Sequence, residues 1–151
     1  VVNTVIQLSK IKQQYRFFRR RCRGKGETVE NDFDSNTPIY LQLVKLFTIR
    51  IAGGTWIPGE RVMSVRDLAV EFQVNPNTVQ RALAELEREG LVYTERTSGR
   101  YITPDLDRIR SARKELTDRK VTDFVSQMRQ LGYDREQWMA LVEESLKTEI
   151  N

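Results

Sequence analysis

The sequence predicts a mostly helical α+β fold, and three observations carry that prediction. Two short segments with helical periodicity, each opened by its own capping residue, flank a tight connection at Gln73-Val74. A β-prone pair of segments meeting at a turn follows them directly. Beyond Pro104 the pattern is helical throughout. At 151 residues and 17.7 kDa the chain has room for one ordinary domain, or for a small domain with an appendage. Hydrophobic residues make up 39% and charged residues 30%, enough to bury a core beneath a very polar surface.

The first 36 residues stand apart. They hold eight Lys/Arg against four acids, an excess equal to the whole-chain charge of +4, so the sequence from Thr37 onward is neutral. Tyr15 to Lys25, YRFFRRRCRGK, interleaves bases with aromatics and suits contact with phosphates. Gly24, Gly26 and the acidic stretch from Glu27 to Asp34 separate this run from the first firm helix signal, so residues 1–36 are expected to form a disordered leader, basic then acidic. Two readings of the leader stay open. It is a phosphate-contacting arm, or residues 1–28 are an over-extended, non-native start and the native chain begins near Val29, before the lead-in VENDFDSN.

From Thr37 the elements follow in order. Thr37 as N-cap and Pro38 at the first helical position open a helix whose Ile39, Leu43, Phe47 and Ile51 recur every four residues, widened by Val44 and Leu46 and stopped at Gly53-Gly54. Trp56 to Gly59 reads as a turn. Ser64, with Asp67 three residues on, opens a short helix that turns Val65, Leu68, Ala69 and Phe72 inward. Asn75-Pro76 repeats that grammar and starts a helix that buries Val79, Ala82, Leu83 and Leu86 and stops at Gly90. Leu91–Arg96 and Arg100–Thr103 are β-prone around a turn at Thr97-Ser98-Gly99. A hairpin placed directly after a helix-turn-helix makes a winged helix-turn-helix domain, expected over residues 37–103.

Residues 104–151 are expected to form a two-helix dimerisation tail. One helix carries Leu106, Ile109, Leu116, Val121, Phe124, Val125, Met128 and Leu131 up to Gly132, and a second carries Trp138, Leu141, Val142 and Leu146. Two helices leave one side of each apolar stripe in water when they pack only on each other, so the tail calls for a partner.

Composition excludes most catalytic plans. With no histidine, the chain lacks imidazole bases, His-dependent triads and His metal sites. Cys22 is the single cysteine, and although Arg20, Arg21 and Arg23 favour its thiolate, no base stands beside it in the pattern. Asp67, Glu85 and Glu89 fall on helix surfaces without a glycine loop to organise them. No catalytic residue, cofactor or metal is expected, and the chain is not expected to be an enzyme. A lone cysteine, no apolar run of about 18 residues and no signal-type h-region point to a cytoplasmic protein that is neither secreted nor membrane-spanning.

A winged helix reads duplex DNA by laying its second helix in the major groove. The outward residues of the helix that starts at Asn75 are Asn77, Thr78, Gln80 and Arg81, with amide, hydroxyl and guanidinium groups that match base edges and phosphates. Asn75 is first a cap, and a cap also aims backbone N–H groups at a phosphate. Arg66 reads as an exposed charge, or as the partner of Asp67 or Glu71. Arg96, Ser98, Gly99 and Arg100 form the wing, which reaches backbone or minor groove or is simply a tight hairpin.

Residues 37–103 resemble the DNA-binding domain of the GntR family of bacterial transcription regulators. The resemblance rests on Pro38-Ile39-Tyr40 with Gln42, Pro58-Gly59-Glu60, Ser64-Val65-Arg66-Asp67-Leu68-Ala69, Val74-Asn75-Pro76-Asn77-Thr78-Val79 and Leu86-Glu87-Arg88-Glu89-Gly90-Leu91. The tail segment FVSQMRQLGYDREQW is similar to the YtrA-type subfamily, whose small C-terminal part dimerises. The resemblance implies DNA contact by Arg66, by Asn75, Asn77, Thr78, Gln80 and Arg81, and by the wing-tip Gly99. Met63 stands where the family usually has Pro, and Thr97 where a Gly commonly opens the wing. The expected function is a homodimeric repressor of transcription on a palindromic double-stranded operator. The alternative is a winged helix that docks a protein partner through its tail. Any small-molecule effector is expected at the dimer interface, because the tail has little room for a pocket of about 300–1,000 Å³.

Overall fold

The structure, a computed structural model, describes residues 33–149. The leader before Phe33, with Cys22 and both readings of its start, lies outside the described residues. Five helices and one hairpin follow in the order α1 (Ile39–Ala52), α2 (Val65–Glu71), α3 (Pro76–Arg88), β1 (Val92–Glu95), β2 (Gly99–Ile102), α4 (Leu106–Gln130) and α5 (Arg135–Glu149). The chain divides into two compact units between Arg113 and Lys114.

In the first unit α1 begins one residue later than the sequence predicts. Pro38 occupies the cap position, its carbonyl accepting from Leu41 and Gln42 N–H, while the Thr37 hydroxyl donates to Asp34. Gln42 completes the entry: its side-chain oxygen accepts from Asp34 N–H, and its amide donates to the Asp34 and Thr37 carbonyls. Phe33 packs against the core, so the end of the expected leader is part of this unit. Leu43, Phe47 and Ile51 are fully buried, but Ile39 is 43% exposed. A row at four-residue spacing drifts about 40° per step on a helix of 3.6 residues per turn, and over three steps Ile39 rotates off the core.

The core gathers α1, α2 and α3. Phe47 stacks on Trp56 and meets Phe72 edge to face, with ring centroids 5.0 and 5.5 Å apart. Leu68, Val79, Leu83, Leu86 and Leu91 fill the space beneath. Helix α2 ends in a Schellman turn, with Val74 N–H on the Ala69 carbonyl, and the left-handed position falls on Gln73 (φ 53°). Helix α3 ends the same way on Gly90 (φ 72°).

The hairpin pairs Val92 with Ile102 through Glu95 with Gly99. The preceding turn does more than reverse the chain. Gly59 and Val62 N–H donate to the carbonyls of Ile102 and Arg100, and Ile102 N–H returns to Glu60, so residues 59–62 run along the free edge of β2. That edge pairing closes at a single bridge, Arg61 with Tyr101.

Helix α4 starts inside the first unit. Ile109 and Ala112 are buried in its core, Arg108 Nε donates to the Glu89 carbonyl at 2.6 Å, and Arg113 Nε to the Ala52 carbonyl at 2.8 Å. These two arginines satisfy carbonyls at the C-terminal ends of α3 and α1. The second unit begins at Lys114. Phe124 meets Trp138 edge to face at 5.7 Å, and Asp134 and Gln137 cap α5 reciprocally. None of residues 114–148 is buried, and Val121, Leu131 and Leu146 are each more than half exposed.

Candidate nucleic-acid interface

The local sequence orients this site through its caps. Asn75 is extended (φ −63°, ψ 135°), and its side-chain oxygen accepts from Asn77 N–H at 2.8 Å, which starts α3 with Asn77, Gln80 and Arg81 exposed and Thr78 half-buried. Val79, Ala82, Leu83 and Leu86 hold the opposite side of α3 in the core, so the polar row has one direction to face. Ser64 caps α2 in the same manner. Its hydroxyl accepts from Asp67 N–H and donates to the Asp67 carboxylate at 2.6 Å.

That cap decides the reading of Arg66. Of the two acids named as its partners, Asp67 is held by Ser64 and Glu71 pairs with Arg50 at 2.8 Å. Arg50 is itself fixed over the Phe72 ring, 4.8 Å from its centroid. Arg66 is therefore exposed in the first turn of α2 with no acid partner among the described residues. Asn75 plays the capping role that the sequence predicts.

The wing residues are in place. Arg96 is exposed in the hairpin loop, Ser98 donates to Glu95, and Gly99 takes φ +113°. Thr97 needs no left-handed backbone, because Gly99 supplies the positive φ that closes the loop. Met63, the other departure from the family pattern, is 46% exposed and leaves the Ser64 cap intact. Arg100 is only half-exposed, and its Nε is buried without a hydrogen-bond partner. A cleft of about 610 Å³ brings Gly99 and Arg100 together with Ser64 and Asp67 at the start of α2. Behind the hairpin Tyr93 and Tyr101 stack at 5.7 Å. Burial first, then the charge of Glu95 and the neighbouring Tyr101, pushes the Tyr93 phenol above its usual value, so it stays neutral at physiological pH.

Two residues of this surface are missed by sequence reasoning. Arg61 lies against the wing, its guanidinium 3.3 Å from where a Cβ on Gly99 would stand. Tyr40 of α1 carries the Arg81 guanidinium on its ring, with Cζ 3.7 Å from the centroid. The bridge that places Arg61 joins residues 40 apart and the Tyr40–Arg81 contact of α1 with α3 joins residues 41 apart, and no local pattern announces either.

The fold and this polar surface define a winged helix-turn-helix protein of the DNA-binding regulator class. The profile of the gntR family of bacterial regulatory proteins matches residues 39–102. The uncharacterised HTH-type transcriptional regulator YhcF of Bacillus subtilis is 36% identical over 120 residues, covering 80% of this chain and 96% of its own. The HTH-type transcriptional repressor YtrA of the same organism is 38% identical over 106 residues, covering 70% and 77%. A GntR family transcriptional regulator from Listeria monocytogenes superposes with a TM-score of 0.69 at 39% identity, over 74% of this chain and 98% of that one. The chain belongs to the GntR family of transcription regulators, as its motifs indicate. Membership of a regulator family agrees with the expectation that it is not an enzyme. Among the described residues no helix is long and apolar enough to cross a membrane.

Proposed function

We propose that this regulator is a homodimeric repressor that acts in the cytoplasm on an inverted-repeat operator. In this reading residues 37–103 read DNA and the tail, residues 104–151, joins two copies through its part beyond Arg113. Helix α3 enters the major groove with Asn77, Thr78, Gln80 and Arg81 toward base edges, Asn75 presents backbone N–H groups to a phosphate, and Arg66 contacts DNA from α2. Arg96, Ser98, Gly99 and Arg100 approach the backbone or minor groove. The observation that carries the reading is the one-sided polar row of α3 beside an Arg66 that lacks an acid partner among the described residues.

Similarity to YtrA, named a repressor, supports repression. The exposed Val121, Leu131 and Leu146 support a second copy on the tail, and two-fold symmetry then places two recognition helices about 34 Å apart on one face of the duplex. An effector, where one exists, would sit between the two tails.

The test is selection of random duplexes by the full chain, with affinities for the selected sequences measured across a salt series. An enriched inverted repeat bound far more tightly than scrambled DNA is expected. Failure to enrich any sequence would refute this reading and favour a protein partner on the tail.

A further inference from the structure

The pairing of Tyr40 with Arg81 joins two elements that the sequence keeps apart. Tyr40 lies in the first turn of α1, half-buried and packed against the core, so its ring is fixed by its surroundings. Arg81 lies on the exposed row of α3. Its Cζ stands 3.7 Å from the ring centroid. A guanidinium nitrogen lies about 1.3 Å from Cζ, so an approach with a nitrogen aimed at the ring would press it to about 2.4 Å, and a face-on arrangement relieves that contact. Stacking uses the face of the guanidinium and leaves the five N–H donors around its edge.

The acid best placed to compete for Arg81 is Glu85, one turn along α3, and Glu85 is paired with Arg88. Arg81 is thus held by an aromatic face without being neutralised by the acid on its own helix. A free arginine side chain loses rotamer freedom when it is immobilised on a base. An arginine already stacked has lost part of that freedom before DNA arrives.

The geometry points to Tyr40 as a positioning residue for base readout: its ring pre-orients the Arg81 guanidinium so that the edge donors of Arg81 address a base, with guanine, which offers two acceptors to a bidentate arginine, as the favoured partner. This rests on the reading that Arg81 contacts a base. Tyr40 therefore sets sequence discrimination at one operator position without itself reading it.

The experiment compares wild type, Tyr40→Phe, Tyr40→Leu, Arg81→Ala and the Tyr40→Leu/Arg81→Ala double variant, all as full chains. Each is titrated by fluorescence anisotropy against the selected operator and against versions substituted at each base pair. Tyr40→Leu is expected to weaken operator binding about 2- to 5-fold, the range of an exposed cation–π contact. Its loss of discrimination should fall at the same base pair as that of Arg81→Ala. Tyr40→Phe, which keeps a ring face, should restore most of it. In the Arg81→Ala background Tyr40→Leu should add nothing. The ratio between two duplexes does not depend on the active fraction, so partial misfolding of Tyr40→Leu cannot mimic this outcome.

If Arg81→Ala loses affinity while Tyr40→Leu keeps wild-type discrimination, or if the two losses add in the double variant, the positioning role is overturned and base contact by Arg81 stands. If Arg81→Ala binds every duplex as wild type does, the base-contact reading itself fails, and the inference with it.

Discussion

Helix α4 begins beyond the proline that closes the wing, yet its first two turns complete the core of the DNA-binding unit. Ile109→Ala tests this directly. The side chain is fully buried, and the change deletes three carbons, worth about 2.4 kcal/mol at about 0.8 kcal/mol per buried methylene. The cavity left between α4 and its neighbours raises the cost to about 3–4 kcal/mol, inside the usual range for Ile to Ala. In a unit of this size about 4–8 °C of melting temperature accompanies each kcal/mol, so a loss of well over about 10 °C is expected in thermal unfolding followed by circular dichroism. Arg110→Ala is the control. It sits one residue on, facing solvent, and its ion pair with Asp107 joins two exposed side chains, worth under about 1 kcal/mol. Both variants, measured while folded at low temperature, should bind operator as wild type does. Equal melting temperatures for the two variants would refute the claim that the start of α4 belongs to the first unit.

Three further outcomes follow from named features. Arg66→Ala should weaken operator binding by about 1–3 kcal/mol, read by anisotropy titration, and unchanged affinity would remove Arg66 from the interface. Gln73→Gly should raise stability by about 0.5–1 kcal/mol in urea unfolding, since glycine relieves the left-handed strain at φ 53° but loses more freedom on folding; a destabilised variant would contradict this balance. Tyr93 has its pKa raised in the fold above the ordinary 10.0, so the native state holds that proton more tightly than the unfolded chain. Its contribution is complete below pH 10 and lost as pH rises through the folded value, so the melting temperature should fall above about pH 10 and Tyr93→Phe should flatten that fall.

Most of the helix boundaries were legible because caps are local. Ser64 with Asp67, Asn75 with Asn77, and Gly90 and Gly132 at helix ends each act within a few residues, which is the range that a pattern along the chain can report. The features that a local pattern does not report arise where distance along the chain decides. Proline at 104 breaks backbone regularity but not packing, so it marks the end of the hairpin while the compact unit continues to Arg113. The edge strand of residues 59–62 and the Arg61 contact with Gly99 depend on a segment folding back across β2. Gln73 departs from the glycine stop used after α3 and α4, so its left-handed backbone has no compositional mark. The tail was legible in a different sense. Its periodicity predicts more apolar surface than two helices can cover, and residues 114–148 contain no buried side chain.

The charge balance bears on how the proposed site would work. From Thr37 onward bases and acids are equal in number, so a broad attractive field is not available to this part of the chain. The fold then sorts the bases. Arg50 is committed to Glu71, Arg88 to Glu85, Arg110 to Asp107 and Lys114 to Asp118, while Arg108 and Arg113 close helix ends. On α2, α3 and the hairpin loop, Arg66 and Arg96 are exposed without an acid partner among the described residues, and Arg81 is held by a ring that leaves its charge intact. Of the acids on the helix-turn-helix, Asp67, Glu71 and Glu85 are each occupied by a neighbour other than these three arginines. A surface built this way gains little from bulk electrostatics and much from directed hydrogen bonds. Its affinity for unrelated DNA is therefore expected to be low relative to operator, and its salt slope set by a handful of phosphate contacts rather than by net charge.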